Sequence, residues 1–195
     1  VLVLAILAIS GGTIAQYFFS YATTYALTTL GFSTTVSMAV GVAVGISGTV
    51  FSILGGLLAD RFSLKSVSII GRVLTTALFY PLLMIVLGAN SPVLFIAAMC
   101  ILMALQATGS AAAIVLLPLC FPREIRTAGL SIGYAAGVTI FGGTAQIVFT
   151  WLIEMTGNKL APLWYVVASG VVSVLALAAF KLHVDKNTAP TASKS

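Results

Sequence analysis

Six apolar stretches, at roughly 1–28, 35–58, 67–88, 92–118, 127–153 and 163–181, recur along this chain with only short polar joints between them. Each is close to or above the 20 or so residues that a helix needs to cross the hydrocarbon core of a bilayer. In lipid a helix also satisfies its own backbone N–H and C=O groups, which an open strand cannot do. The expected fold is therefore an all-α membrane protein with six crossings. Of 195 residues, 60% are hydrophobic and 7% are charged, with a mean hydropathy of +1.16. Soluble domains carry roughly 25% charge, so a soluble fold could not hide this much apolar surface.

Helix punctuation falls where the joints require it. Ser33 can cap the second run, Asn90-Ser91-Pro92 reads as a cap followed by a first-turn Pro, Pro122 opens the fifth run and Ala161-Pro162 opens the sixth. Pro81 lies inside the third and predicts a kink. The net charge of +5 arises from nine Lys and Arg scattered between apolar runs, so no basic face for nucleic acid is expected. Arg61, Lys65, Arg72, Arg123, Arg126, Lys181, Lys186 and Lys194 fall on one side and Lys159 alone on the other. That bias predicts that both ends are cytoplasmic. Arg72, a turn or so into its span, is expected to snorkel to the cytoplasmic surface. The bundle is expected over 1–182, followed by a disordered tail over 183–195.

Cys100 and Cys120 share one predicted helix, roughly 30 Å apart, too far to bridge and suited to packing. With one His and two Cys, neither a metal centre nor a cofactor is expected. The opening Val1-Leu2-Val3-Leu4 lacks Met or a basic stretch and reads as a fragment rather than a secretory signal. Gly41 and Gly45, and Gly129, Gly133 and Gly137, recur at intervals of four and so mark helix faces that approach closely. Gly142-Gly143 weakens the fifth helix in its middle and is a candidate hinge.

The joint Gly55-Gly56-Leu57-Leu58-Ala59-Asp60-Arg61-Phe62-Ser63-Leu64-Lys65 resembles the loop motif of the major facilitator superfamily. Gly56, Asp60, Arg61 and Lys65 match it; Ser63 stands where Gly is usual and Leu64 where the first basic residue is usual. An Asp at a cytoplasmic helix end can meet the positive N-terminus of a neighbour while an Arg pairs with a carboxylate. The resemblance thus implies a conformational latch; ordinary interfacial charge is the alternative. Phe121-Pro122-Arg123-Glu124-Ile125-Arg126-Thr127-Ala128-Gly129-Leu130-Ser131, with Tyr134 and Phe141-Gly142-Gly143-Thr144-Ala145, is similar to the metabolite:proton symporter family within that superfamily. Its members carry citrate, α-ketoglutarate, shikimate or proline/betaine. Thr156-Gly157-Asn158-Lys159, Pro162-Leu163-Trp164-Tyr165 and Val44-Gly45-Ile46-Ser47 resemble its citrate-proton branch.

The resemblance covers essentially the whole chain. It implies helices seven to twelve of a twelve-helix transporter, the C-terminal half, with an N-terminal six-helix half as partner. Arg123 and Arg126 would join the latch, but Leu119 replaces a usual Glu and leaves Arg126 to Asp60 or Glu124. In that superfamily the second half lines a central cavity mainly with its first, second, fourth and fifth helices. The implied substrate contacts are Gln16, Tyr17, Ser20, Tyr21 and Thr24 on the first, Gln106 and Ser110 on the fourth, and Tyr134, Thr144 and Gln146 on the fifth. Hydrogen bonding between helices accounts for each of them equally well. No carboxylate sits at mid-depth, so the coupling acid and the main anion-binding charge are expected in the N-terminal half.

The implied function is secondary active transport by alternating access, as proton-coupled symport of a small carboxylate such as citrate. A membrane assembly component that uses the Gly-rich faces without transporting is the alternative. An intramembrane enzyme finds no Ser-His, paired-carboxylate or metal constellation in the spans.

Overall fold

The computed structural model describes residues 2–179, which form six spans: α1 (Leu2–Thr29), α2 (Thr34–Arg61), α3 (Leu64–Ala89), α4 (Pro92–Leu119), α5 (Arg126–Thr156) and α6 (Ala161–Ala179). Lys181, Lys186, Lys194 and the tail expected over 183–195 lie outside the described residues. The helix starts follow the local chemistry. Ser33 and Ser63 accept the amides of Val36 and Ser66 at 3.4 and 3.1 Å, and Pro92 occupies the first turn of α4. Asn90 takes the left-handed conformation, φ 44°, that ends α3.

Two boundaries differ from the sequence reading. α2 runs through Asp60 and Arg61, so these sit on its last turn rather than in a joint. A 3₁₀ turn over Arg123–Ile125 separates Pro122 from α5. α3 continues as helix through Pro81. Wider π-helical turns close α1 at Tyr25–Thr29 and interrupt α5 at Val138–Gly142, just before Gly143.

α1 and α4 are the central helices, each 56% buried over its most apolar window, whereas α2 and α5 are 22% buried and present apolar side chains outward. Val42, Ile46, Ile53 and Ile147 are among these outward residues. On α3 the buried stripe is Ser68, Arg72, Thr75, Phe79, Leu83 and Val86, spaced three or four apart. Gly71 beside it meets Gly109 of α4 backbone to backbone, and Ser68 Oγ donates to the Gly109 carbonyl at 3.2 Å. At one end of the bundle Phe18 of α1 stacks edge-on against Phe79 and Phe149 at 5.1 and 5.3 Å. Tyr25, wholly buried beside Phe95, donates to the Lys159 carbonyl at 2.7 Å. Toward the other end Ala5, Ala8 and Ile9 pack with Leu116, Leu117, Phe121 and Leu177.

Candidate functional site

A cavity of about 610 Å³ opens between α1, α2, α4 and α5. Gly12, Thr13, Gln16 and Tyr17 line it from α1, Ser52 from α2, Ser110 from α4 and Tyr134 from α5. Its walls span Ala8 to Tyr17 and Met103 to Leu117, which places it toward the end of the bundle that carries Asp60, Lys65 and Arg126.

The inner wall is closed by a residue that the sequence reading sent elsewhere. Arg72 does not snorkel to the surface: it is 5% exposed and lines the cavity from α3. The cause is its phase on the helix, within the buried stripe four residues after Ser68 and three before Thr75. Its Nη1 donates to Gln106 Oε1 at 3.0 Å, and Gln106 Nε2 donates to the Gly12 carbonyl at 3.0 Å. Its Nε is buried without a hydrogen-bond partner. A Cβ on Gly12 would stand 2.6 Å from Arg72 Nη2, so a glycine there makes room for the guanidinium. An interior cation is therefore present in this bundle, contrary to the expectation from sequence.

Among the expected contacts, Gln16, Tyr17, Ser110 and Tyr134 come together around this cavity. Gln106 stands behind it, 1% exposed, with both ends of its amide engaged by protein. Tyr21 is buried and shares a 3.2 Å hydrogen bond with Thr150. Ser20, Thr24, Thr144 and Gln146 are exposed and lie outside the cavity wall, and Thr144 Oγ1 donates to the Ile140 carbonyl at 2.6 Å. Thr13, Ser52 and Arg72 are cavity residues that sequence reasoning missed. For Arg72 the signal was available in the stripe spacing; Ser52 carries none beyond being polar in a span.

Around the expected latch, Gly56 has open space where a side chain would project, and Asp60 and Arg61 are exposed. Lys65 Nζ donates to the Ala178 carbonyl at 3.1 Å, a cation at the negative end of α6. Arg126 donates to the Phe121 carbonyl at 3.4 Å, rather than to Asp60 or Glu124, and its Nε is buried without a partner. At the expected hinge, a Cβ on Gly142 would meet the Tyr17 ring at 2.6 Å, whereas Gly143 has nothing within 4 Å. The π turn thus ends on a glycine that lets α5 close on α1.

The family model described as Major Facilitator Superfamily matches residues 1–195. A citrate-proton symporter of Klebsiella pneumoniae is 31% identical over 80% of this chain and 35% of its own length. A Staphylococcus aureus protein with the provisional name proline/betaine transporter is 35% identical over 65% of this chain and 27% of its own length. A citrate-proton symporter of Salmonella typhi is 24% identical over 89% of this chain and 40% of its own length. The matched region thus spans between about a quarter and two fifths of these relatives. No solved structure gives a significant match.

Proposed function

This chain belongs to the Major Facilitator Superfamily, and from that premise we propose that it supplies the C-terminal six-helix half of a proton-coupled symporter for a small carboxylate metabolite. The observation that carries the reading is the cavity bounded by α1, α2, α4 and α5, whose mostly apolar wall carries Thr13, Gln16, Tyr17, Ser52, Arg72, Ser110 and Tyr134. Such a cavity in a membrane protein is a place for a polar solute to sit. The named solutes of the relatives, citrate and proline or betaine, share a carboxylate. Gln16, Tyr17, Ser110 and Tyr134 offer it amide and hydroxyl donors.

A second observation favours a partner half. Gln16, Ser20 and Thr24 are exposed at intervals of four on the face of a span that is otherwise mostly buried. Lipid-facing stripes are apolar, so this one suits protein or water. An N-terminal half packed there would complete the cavity wall and rock against this half about the Gly142-Gly143 hinge. Asp60, Arg61 and Lys65, with Gly56, Arg123 and Arg126, would latch the cytoplasmic side. Both termini are assigned to the cytoplasm of a bacterial inner membrane. The described acids, Asp60, Glu124 and Glu154, are all exposed near span ends, so the proton carrier is assigned to the N-terminal half.

Uptake of labelled citrate, α-ketoglutarate, shikimate and proline betaine into vesicles carrying the protein as fully encoded tests the reading. Accumulation of at least one, collapsed by a proton-dissipating agent, is expected. Accumulation indifferent to that agent refutes proton coupling, and no accumulation of any refutes the carboxylate assignment.

A further inference from the structure

Arg72 stands eight residues into α3 from Leu64, about 12 Å along the helix. There it has no acidic partner: the described acids Asp60, Glu124 and Glu154 are exposed near span ends, and the guanidinium's hydrogen bond is to a neutral amide. Burying a cation away from water without a counter-charge is strongly unfavourable. Three features nevertheless hold it in place. Gln106 fixes one arm of the fork at 3.0 Å and is itself fixed to the Gly12 carbonyl at 3.0 Å. Gly12 leaves the space that a Cβ, at 2.6 Å from Nη2, would take. The Gly71 and Gly109 contact brings α3 close enough for the side chain to reach between α1 and α4.

A guanidinium has five donors in a planar fork that matches a carboxylate with two parallel bonds. Here one arm is engaged by Gln106, Nε is unpartnered, and the group forms part of the cavity wall. A neutral glutamine in the position of Gln106 orients the fork without cancelling its charge. We propose that Arg72 is the residue that receives the carboxylate of the transported solute, with Gln106 as its positioning residue. This rests on the symport reading above and assigns to this half the anion-binding charge expected in the other.

The test uses the full-length protein, wild type and as Gln106→Glu and Arg72→Lys, with labelled citrate and proline betaine as probes. Gln106→Glu keeps the side chain's shape and puts a carboxylate within reach of Nη1, so the fork is neutralised from within. KM for both probes is expected to rise about ten- to a hundredfold, the equivalent of one charge-assisted hydrogen bond, with the protein still folded and monodisperse. Arg72→Lys keeps the charge but loses the fork and should fall between the two. In the wild type, the carboxamide of proline betaine should compete at least tenfold more weakly than the acid.

A cation that is merely structural, or one paired with an acid of the other half, predicts a different set of results. Gln106→Glu and Arg72→Lys would then keep wild-type KM even where stability changes. That result overturns the assignment to Arg72 and leaves the symport reading standing, because the wild type still transports. Equal competition by the carboxamide overturns the assignment even if neither variant folds. A wild type that accumulates none of the four solutes, citrate, α-ketoglutarate, shikimate or proline betaine, brings down both readings; where only one of the other two is accumulated, it replaces the probe in the same KM and competition measurements.

Discussion

The crossing of α3 and α4 offers a sharp test of the packing. A Cβ added at Gly71 would lie 2.6 Å from Gly109 Cα, 2.8 Å from Gly109 N and 3.1 Å from the Leu105 carbonyl oxygen. Carbon atoms rest at about 3.5–4.0 Å, so Gly71→Ala requires the two helices to part by about 1 Å. Every atom it meets is backbone, and none can rotate aside. Alanine in a helix interior gains about 1 kcal/mol over glycine, and forced overpacking costs about 1–3 kcal/mol. Gly45 on α2 is the matched control, because nothing lies within 4 Å of its added Cβ and only the gain should remain. Gly71→Ala should therefore be less stable than Gly45→Ala by about 1–3 kcal/mol, read as unfolding of the purified full-length protein by SDS in mixed micelles. Equal stability of the two variants would refute the backbone contact at the crossing, and with it the route by which Arg72 reaches the cavity.

Tyr25→Phe removes the 2.7 Å bond to the Lys159 carbonyl from a closed aromatic core and should destabilise by about 1 kcal/mol in the same assay. Thr150→Val, which loses the 3.2 Å contact with Tyr21 and the 3.1 Å bond back to the Gln146 carbonyl, both made by an exposed residue, should change stability less. Gly142→Ala presses on the Tyr17 ring and the Thr13 methyl, at 2.6 and 2.9 Å, so initial uptake rate should fall further than for Gly143→Ala, whose added Cβ meets nothing within 4 Å. Equal rates would remove Gly142 from the hinge. Lys65→Met deletes the 3.1 Å bond to the end of α6; if that contact belongs to the latch, maximal uptake rate changes while KM for citrate does not, and a change in KM alone would count against the latch.

The crossings were legible in the sequence because the bilayer imposes a length and an apolarity that few other contexts allow. Ser33, Ser63 and Pro92 mark helix starts by chemistry that does not depend on tertiary context. Of the misplaced boundaries, Asp60-Arg61 falls where polar residues extend α2 beyond its apolar run, and Pro122 falls where a 3₁₀ turn over Arg123–Ile125 delays the start of α5 to Arg126. Hydropathy measures what lipid tolerates, not where backbone hydrogen bonding stops. Glycine spacing predicted close faces and found them at Gly129 and Gly137, against Phe121 and Ile9. The same spacing put Gly45 in the set, yet that glycine faces open space, because a repeat of four fixes a helix face and says nothing about what lies opposite.

The site was less legible for a related reason. A polar residue in a span can face a cavity, a neighbouring helix or lipid headgroups, and only its phase relative to the packed stripe separates these. Read by depth alone, Arg72 belonged at the surface; read by phase, with Ser68, Thr75 and Phe79 on the same face, it belonged inside. Gln106 shows the converse, since it was expected at a cavity and lies at its margin with both amide ends committed to Arg72 and Gly12. The two corrections are one fact, because a buried cation without a neighbouring acid must be oriented by neutral dipoles if its charge is to remain available. That requirement favours an amide at position 106 over an acid, and a glycine at position 12 over any residue with a Cβ.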